Sequence, residues 1–238
     1  MERLRVDYNS SSSDNESETE TGKYQMNVEC ASKIDDIGIV NGDHLIQSRI
    51  RQFQHRKGQW AVHIYTEYQK TDNNLFKALC DLLPGHNINQ PYHLSLSRCF
   101  PSRLHFIEPM LLELQQCCTK LSGPIFCHFT DLAVFDNDDK STCFIGACVK
   151  PDHTLNLLVD QIDDVITKYK GQRFYPDRKY HVTLKWFAKN EQNNITQSKL
   201  KSILESGSYY LRNFAPFNIY EIIFKYGNKH VTIEFNNC

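Results

Sequence analysis

Apolar residues along this chain follow two rhythms, alternation and helical spacing, and the elements they predict come twice in the same order. A β-branched and aromatic run at 58–65, Gly-Gln-Trp-Ala-Val-His-Ile-Tyr, reads as the first strand. Asp72 then offers an N-cap, Leu75, Phe76, Leu79, Leu82 and Leu83 form a helical stripe, and Pro84-Gly85 stops it. Residues 91–97, Pro-Tyr-His-Leu-Ser-Leu-Ser, read as a strand. Phe106, Ile107, Met110, Leu111, Leu114, Cys117 and Cys118 share one helical face, with Pro109 tolerable only in the first turn. Runs at 125–135 and 142–149 flank Asp136-Asn137-Asp138-Asp139 as a hairpin.

The order then recurs. A helix is expected at about 154–169, and a strand at 179–186, Lys-Tyr-His-Val-Thr-Leu-Lys-Trp. A shorter helix at about 195–205 and strands at 217–225 and 230–235, joined at Gly227-Asn228, complete the second round. The repetition predicts an α+β fold of two pseudo-symmetric lobes divided near residue 151. Each lobe is expected to be a small antiparallel sheet with helices on its outer face, and a central cleft is expected between the two His-bearing strands.

The N-terminal 50 residues break the pattern. Residues 9–22 hold no large apolar side chain and cannot offset the entropy of ordering, so 1–50 is expected to be a disordered acidic, Ser-rich tail followed by a loose arm. The folded domain is expected over 51–238. The first 50 residues carry five Lys/Arg against ten Asp/Glu, and the remainder, with 22 against 18, is mildly basic although the net charge of the chain is -1. Nine cysteines, with neither Cys-x-x-Cys pairs nor zinc-site spacing, read as reduced thiols. No apolar run approaches the roughly 18 residues of a membrane span, and Met1-Glu2-Arg3-Leu4-Arg5 lacks the apolar stretch of a signal peptide. A soluble intracellular monomer is the expectation.

Chemistry enters with the two similar strands. Side chains alternate along a strand, so His93 and Ser95 share one face while Tyr92, Leu94 and Leu96 take the other, and His181 and Thr183 repeat the arrangement. Two imidazoles at one cleft suit cleavage of a phosphodiester, which needs one proton removed from the nucleophile and one delivered to the leaving oxygen. Ser95 and Thr183 are placed to hold the non-bridging phosphate oxygens. With RNA the nucleophile is the ribose 2'-OH and the product a 2',3'-cyclic phosphate. The scheme calls for no metal or other cofactor, and spacing does not say which histidine is the base. His128-Phe129-Thr130 and His230-Val231-Thr232 also match His-x-Ser/Thr but lack the shared flanks, and with His63 they are read as structural.

Several further stretches join these strands: residues 58–65, Tyr92-His93-Leu94-Ser95-Leu96-Ser97, Thr142-Cys143-Phe144-Ile145-Gly146, Phe174-Tyr175-x-Asp177, Tyr180-His181-x-x-Leu184-x-Trp186 and Gly227-Asn228-Lys229. In this combination the chain, from about residue 50 onward, resembles the U6 small nuclear RNA phosphodiesterases of the two-histidine (2H) phosphoesterase superfamily. The resemblance implies His93 and His181 as catalytic residues, Ser95 and Thr183 as phosphate ligands, and Tyr175 as the ring that stacks on the terminal nucleobase. Thr183 stands where similar members carry Ser and keeps the hydroxyl. Lys179, Tyr92 and Tyr180 are further candidate RNA contacts, and Arg98, Arg173, Arg178, Lys185 and Lys229 can hold backbone phosphates. The implied activity is metal-free, nuclear 3'-to-5' trimming of the oligouridine end of U6 small nuclear RNA, leaving a 2',3'-cyclic phosphate or a 3'-phosphate. A 2H phosphodiesterase for cyclic-ended or 2'-5' linked oligonucleotides and a non-catalytic binder of RNA 3' ends are the alternatives.

Overall fold

The computed structural model describes residues 56–69, 73–88, 91–137, 140–192 and 196–236. The tail and arm expected over 1–50, and Asp72, lie outside the described residues. Strand β1 (Gln59–Glu67) and helix α1 (Asn73–Leu82) are followed by β2 (His86–Asn87), β3 (His93–Ser95), β4 (Phe100–Arg103) and α2 (Leu104–Cys118). Because α2 starts two residues ahead of its apolar face, Pro109 lies in its second turn, where the missing N–H deprives the His105 carbonyl of its usual helical donor. Next come β5 (Ile125–Cys127), β6 (Phe129–Asp136), β7 (Thr142–Val149) and α3 (His153–Lys168). Asp152 caps α3, its carboxylate accepting from the Leu155 N–H at 3.0 Å. The chain ends with β8 (His181–Ala188), α4 (Lys189–Gln192), α5 (Gln197–Leu211), β9 (Phe217–Ile219), β10 (Glu221–Tyr226) and β11 (Lys229–Glu234).

The main antiparallel sheet runs β11-β10-β1-β3-β8-β7-β6, with β4 beside β1 and β2 beside β8, while β5 leaves it to pair with β9. The two small sheets expected from the repeat therefore join edge to edge, and the two His strands meet through Leu94↔Val182. Residue 151 is not where the sheet divides. Hairpin β6–β7, from the first round of elements, extends the second His strand through β7–β8. Hairpin β10–β11, from the second round, extends β1 through β10. The helices exchange in the same way, α1 packing with α5 and α2 with α3. A repeat along the chain predicts which elements form but not which copy of a hairpin finds which edge.

Val62, Ile64, Leu94, Ile145, Val182 and Phe224 are fully buried on one side of the sheet and merge with the helical stripes into one core. Burial of each such side chain contributes about 1.5–3 kcal/mol. Their strand neighbours are thereby fixed on the opposite face. That face carries the candidate site.

Candidate active site

The pairing Leu94↔Val182 sets the geometry. In an antiparallel register it places His93 across from Thr183 and Ser95 across from His181, all four on the face away from the core. The histidines occupy one diagonal of this quadrilateral and the hydroxyls the other. Diagonal neighbours on adjacent strands lie roughly 7–8 Å apart, room for one phosphoryl group between them. An antiparallel pair has a local two-fold axis between its strands, so the two half-sites are equivalent by construction. β3 stops after Ser95 because the carbonyl of Ile64 accepts from both Leu96 N at 2.9 Å and Ser97 N at 3.1 Å. The buried Ser97 hydroxyl accepts from Ile64 N at 2.9 Å. Ser97 thus shapes the end of the strand and takes no part in the face itself.

The environments of the two histidines differ. Nδ1 of His181 lies 2.8 Å from the Lys179 carbonyl, and a carbonyl only accepts, so Nδ1 carries the proton. The neutral ring therefore has its lone pair on Nε2. Its other support is Phe135, stacked on it with centroids 3.8 Å apart and planes at 14°. Phe135 belongs to β6, two strands away, and reaches His181 across Gly146 of β7. A Cβ at Gly146 would stand 2.9 Å from both His181 Cδ2 and Phe135 Cε2. Burial holds the His181 imidazole below its ordinary value, the Lys179 carbonyl opposing this in part. Cys148, opposite His181 on β7, is pushed up to about 12 by burial and by the Asp131 charge, and stays a thiol near neutral pH.

His93 sits among aromatic rings of β1, with the Tyr65 centroid at 5.1 Å and that of His63 at 5.5 Å. His63 Nε2 is 3.1 Å from Ser95 Oγ, and its ring stacks on Tyr65. Burial, and then the Glu67 charge, raise the Tyr65 phenol above its ordinary value, keeping it a hydrogen-bond donor. His63, read from sequence as structural, is therefore part of the site. The signal that could have found it is alternation in β1, which puts His63 and Tyr65 on the face opposite Val62 and Ile64.

The remaining candidates separate by burial. Tyr175 is 39% exposed, with the Arg98 guanidinium 4.5 Å from its ring centroid. Its loop is tied to α3: Asp163 Oδ1 accepts from Phe174 N at 2.7 Å, and Arg178 reaches Asp160 at 2.5 Å and the Asn156 carbonyl at 3.1 Å. Tyr92 and Tyr180, candidates for RNA contact, are 7% and 2% exposed and point into the core. Tyr92 packs on Phe76, and the Tyr180 hydroxyl donates to Asn156 at 3.0 Å. They flank the histidines in sequence, and strand alternation turns them to the other face. Lys179 is exposed and paired with Asp177 at 2.9 Å, so what it gives the site is its carbonyl. Arg178 anchors the loop, Arg173 pairs with Asp164 at 2.7 Å, and the buried Lys185 donates to Asn87 at 2.7 Å.

Residues 31–234 match the model of the protein family HVSL, described as an uncharacterised conserved protein. The chain belongs to the HVSL family. Its segments His93-Leu94-Ser95-Leu96 and His181-Val182-Thr183-Leu184 each differ at one position from the four residues that the family name spells. Among curated relatives, U6 snRNA phosphodiesterase 1 of Rattus norvegicus is 31% identical over 169 residues, 66% of this chain and 62% of its own length. The protein of that name from Homo sapiens is 32% identical over 147 residues, 58% of this chain and 54% of its own. The chain thus spans less than two thirds of these relatives. Of solved structures, Kluyveromyces marxianus Usb1 superposes with a TM-score of 0.54 at 14% identity, covering 75% of this chain and 99% of that one. The same protein with uridine monophosphate gives 0.50 at 15%. These likenesses establish the HVSL chain's fold as that of Usb1.

Proposed function

We propose that this HVSL protein is an RNA phosphodiesterase that removes nucleotides from a 3' end by acid-base catalysis between His181 and His93. The diagonal placement of the two histidines across one antiparallel strand pair carries the reading. The names of the curated relatives, and the uridine monophosphate in the Usb1 structure, support RNA as the substrate and the U6 small nuclear RNA end as the target.

His181 is the base of the first step. Its Nδ1–H is held by the Lys179 carbonyl, and burial keeps Nε2 unprotonated. Nε2 takes the proton of the ribose 2'-OH, whose oxygen attacks the adjacent phosphorus. On the opposite side, protonated His93 gives its proton to the departing 5'-oxygen as the P–O bond breaks. The products are a free nucleotide or nucleoside and an RNA with a 2',3'-cyclic phosphate. Should water then open the ring, the roles reverse and a 3'-phosphate remains. Ser95 and Thr183, on the other diagonal, donate to the non-bridging oxygens as charge grows there. Both proton transfers are supplied by imidazole, so no step needs a metal.

Tyr175 offers its ring to the terminal base, and Arg98 above it offers charge to the phosphate of that nucleotide. The same reading makes the protein a nuclear monomer. The test is incubation, in EDTA, of the purified protein with a 5'-labelled RNA ending in oligouridine, resolved before and after acid opening of cyclic ends. Stepwise shortening from the 3' end is expected, lost in both His93→Ala and His181→Ala. Tight binding without cleavage by the wild type would leave a binder of RNA ends instead, and cleavage confined to 2'-5' linked or cyclic-ended oligonucleotides would change the substrate.

A further inference from the structure

Beyond the quadrilateral, the site face of the sheet continues over β1, β10 and β11, and its charges are sorted into two rows. The register pairs His63 with Lys225 and Lys225 with His230, giving three side-by-side nitrogen bases on consecutive strands. His63 is itself bonded to Ser95, so the row begins at the quadrilateral. Four residues along each strand, the same register brings together Glu67, Glu221 and Glu234. Glu67 lies across from His93, and Glu221 is paired with Glu234. One side of the face is thus basic and the other acidic.

The basic row differs from the cations that line the 171–180 loop and the β7–β8 end of the sheet. Lys168, Arg173, Arg178, Lys179 and Lys189 are each within hydrogen-bond distance of a carboxylate. Among the described residues no carboxylate pairs with Lys225 or His230. The pairing of Lys225 with His63 places its side chain on the site side of the sheet, and its charge reaches Cys99. Adjacent strands are about 4.8 Å apart, so Lys225 stands roughly 10 Å from the Ser95 position, beyond the scissile phosphate and not on it.

We propose that Lys225 and His230, continuing the row from His63, form a second phosphate site, which takes the phosphodiester on the 5' side of the scissile one and leads the RNA body out over the β10–β11 hairpin. The inference rests on the RNA phosphodiesterase reading above and deepens it. The acidic row supplies the direction: a polyanion leaving over Glu67, Glu221 and Glu234 meets three carboxylates, whereas over Lys225 and His230 each phosphate meets a cation or a donor. The site is sequence-independent, since it touches backbone and not base edges. It adds to substrates of three or more nucleotides and gives nothing to a dinucleotide, whose one phosphate lies between the histidines.

The experiment compares kcat/KM for UpU and UpUpU with the full chain, as wild type, Lys225→Gln and His230→Gln. UpUpU is expected to be cleaved several-fold faster than UpU by the wild type, an advantage that Lys225→Gln removes while leaving the UpU rate unchanged. Loss of one phosphate contact also lowers the salt slope of log(kcat/KM) for UpUpU by about 0.7. Equal loss on both substrates, or no loss on either, would overturn the proposal. Its failure is separable from failure of the function: if the wild type cleaves neither substrate, binding of the 2'-O-methyl forms of the same two oligonucleotides is measured instead. There, tighter binding of the trinucleotide, abolished by Lys225→Gln, upholds the site, and equal affinities overturn it.

Discussion

A hydroxyl that holds a phosphate oxygen must point its proton at that oxygen, and His63 is placed to arrange this for Ser95. In the tautomer that carries the proton on Nε2, His63 donates across 3.1 Å to a lone pair of Ser95 Oγ and leaves the hydroxyl proton for substrate. Ser95→Ala is expected to lower kcat by about 10- to 100-fold, the worth of one hydrogen bond to a charged group. His63→Ala is expected to cost about 10-fold, and the double variant little more than Ser95→Ala alone. Additive losses in that cycle would separate the two residues. His181 makes a prediction about pH. Burial holds its folded-state value below the ordinary 6.5, so the ring stays unprotonated to lower pH than an exposed histidine would, as the proposed base requires. The acid limb of kcat/KM should have its midpoint below 6.5; a midpoint at or above 6.5 would assign the base elsewhere.

Among the elements, the β10–β11 hairpin bears an evident electrostatic cost. Glu221 and Glu234 are directly paired, and burial, then the charges of Glu234 and Glu67, raise the Glu221 carboxyl above its ordinary value. Like charges opposite each other on adjacent strands cost about 0.2–1 kcal/mol. Glu221→Gln should therefore stabilise the fold by about 0.5 kcal/mol at neutral pH, read from urea unfolding. The sign with pH follows. The native state takes up the Glu221 proton at higher pH than the unfolded chain, so the wild type gains stability as pH falls through the window just above 4.5. The variant's advantage should disappear below that window. A gain that persists at acid pH would trace to packing. The 171–180 loop is managed differently, by buried Asp163 and by Arg178, so the Tyr175 ring is held by α3 and not by the strand it precedes.

Taken whole, the molecule is two rounds of one element order that have exchanged their hairpins. The first round supplies β6–β7 to the sheet edge beside β8, and the second supplies β10–β11 to the edge beside β1. Fragments 49–150 and 151–238 are therefore each expected to lack the sheet partners they need. Each should show little native circular dichroism alone, and cleavage activity should return on mixing. Independent folding of either fragment would mean that a hairpin can pack on its own half. The β3–β8 seam, with Leu94 and Val182 fully buried, is where the His strands touch, and the His93–His181 diagonal exists only when it forms.

The sequence by itself determined most elements to within a few residues, because helical and alternating apolar periods are local properties of the chain. It also determined which side chains leave each His strand together: the spacing His93-x-Ser95 and His181-x-Thr183 fixes a common face whatever the strand packs against. The same alternation turns Tyr92 and Tyr180, candidate RNA contacts by their place beside the histidines, into the core. Tertiary structure alone decided the rest. The pairing partner of each hairpin, the reach of Phe135 over Gly146 to His181, the entry of His63 into the site and the row from His63 to Lys225 and His230 all depend on residues far apart in the chain. Register between strands is set by the shared core and by which edges are open, and no local pattern encodes either.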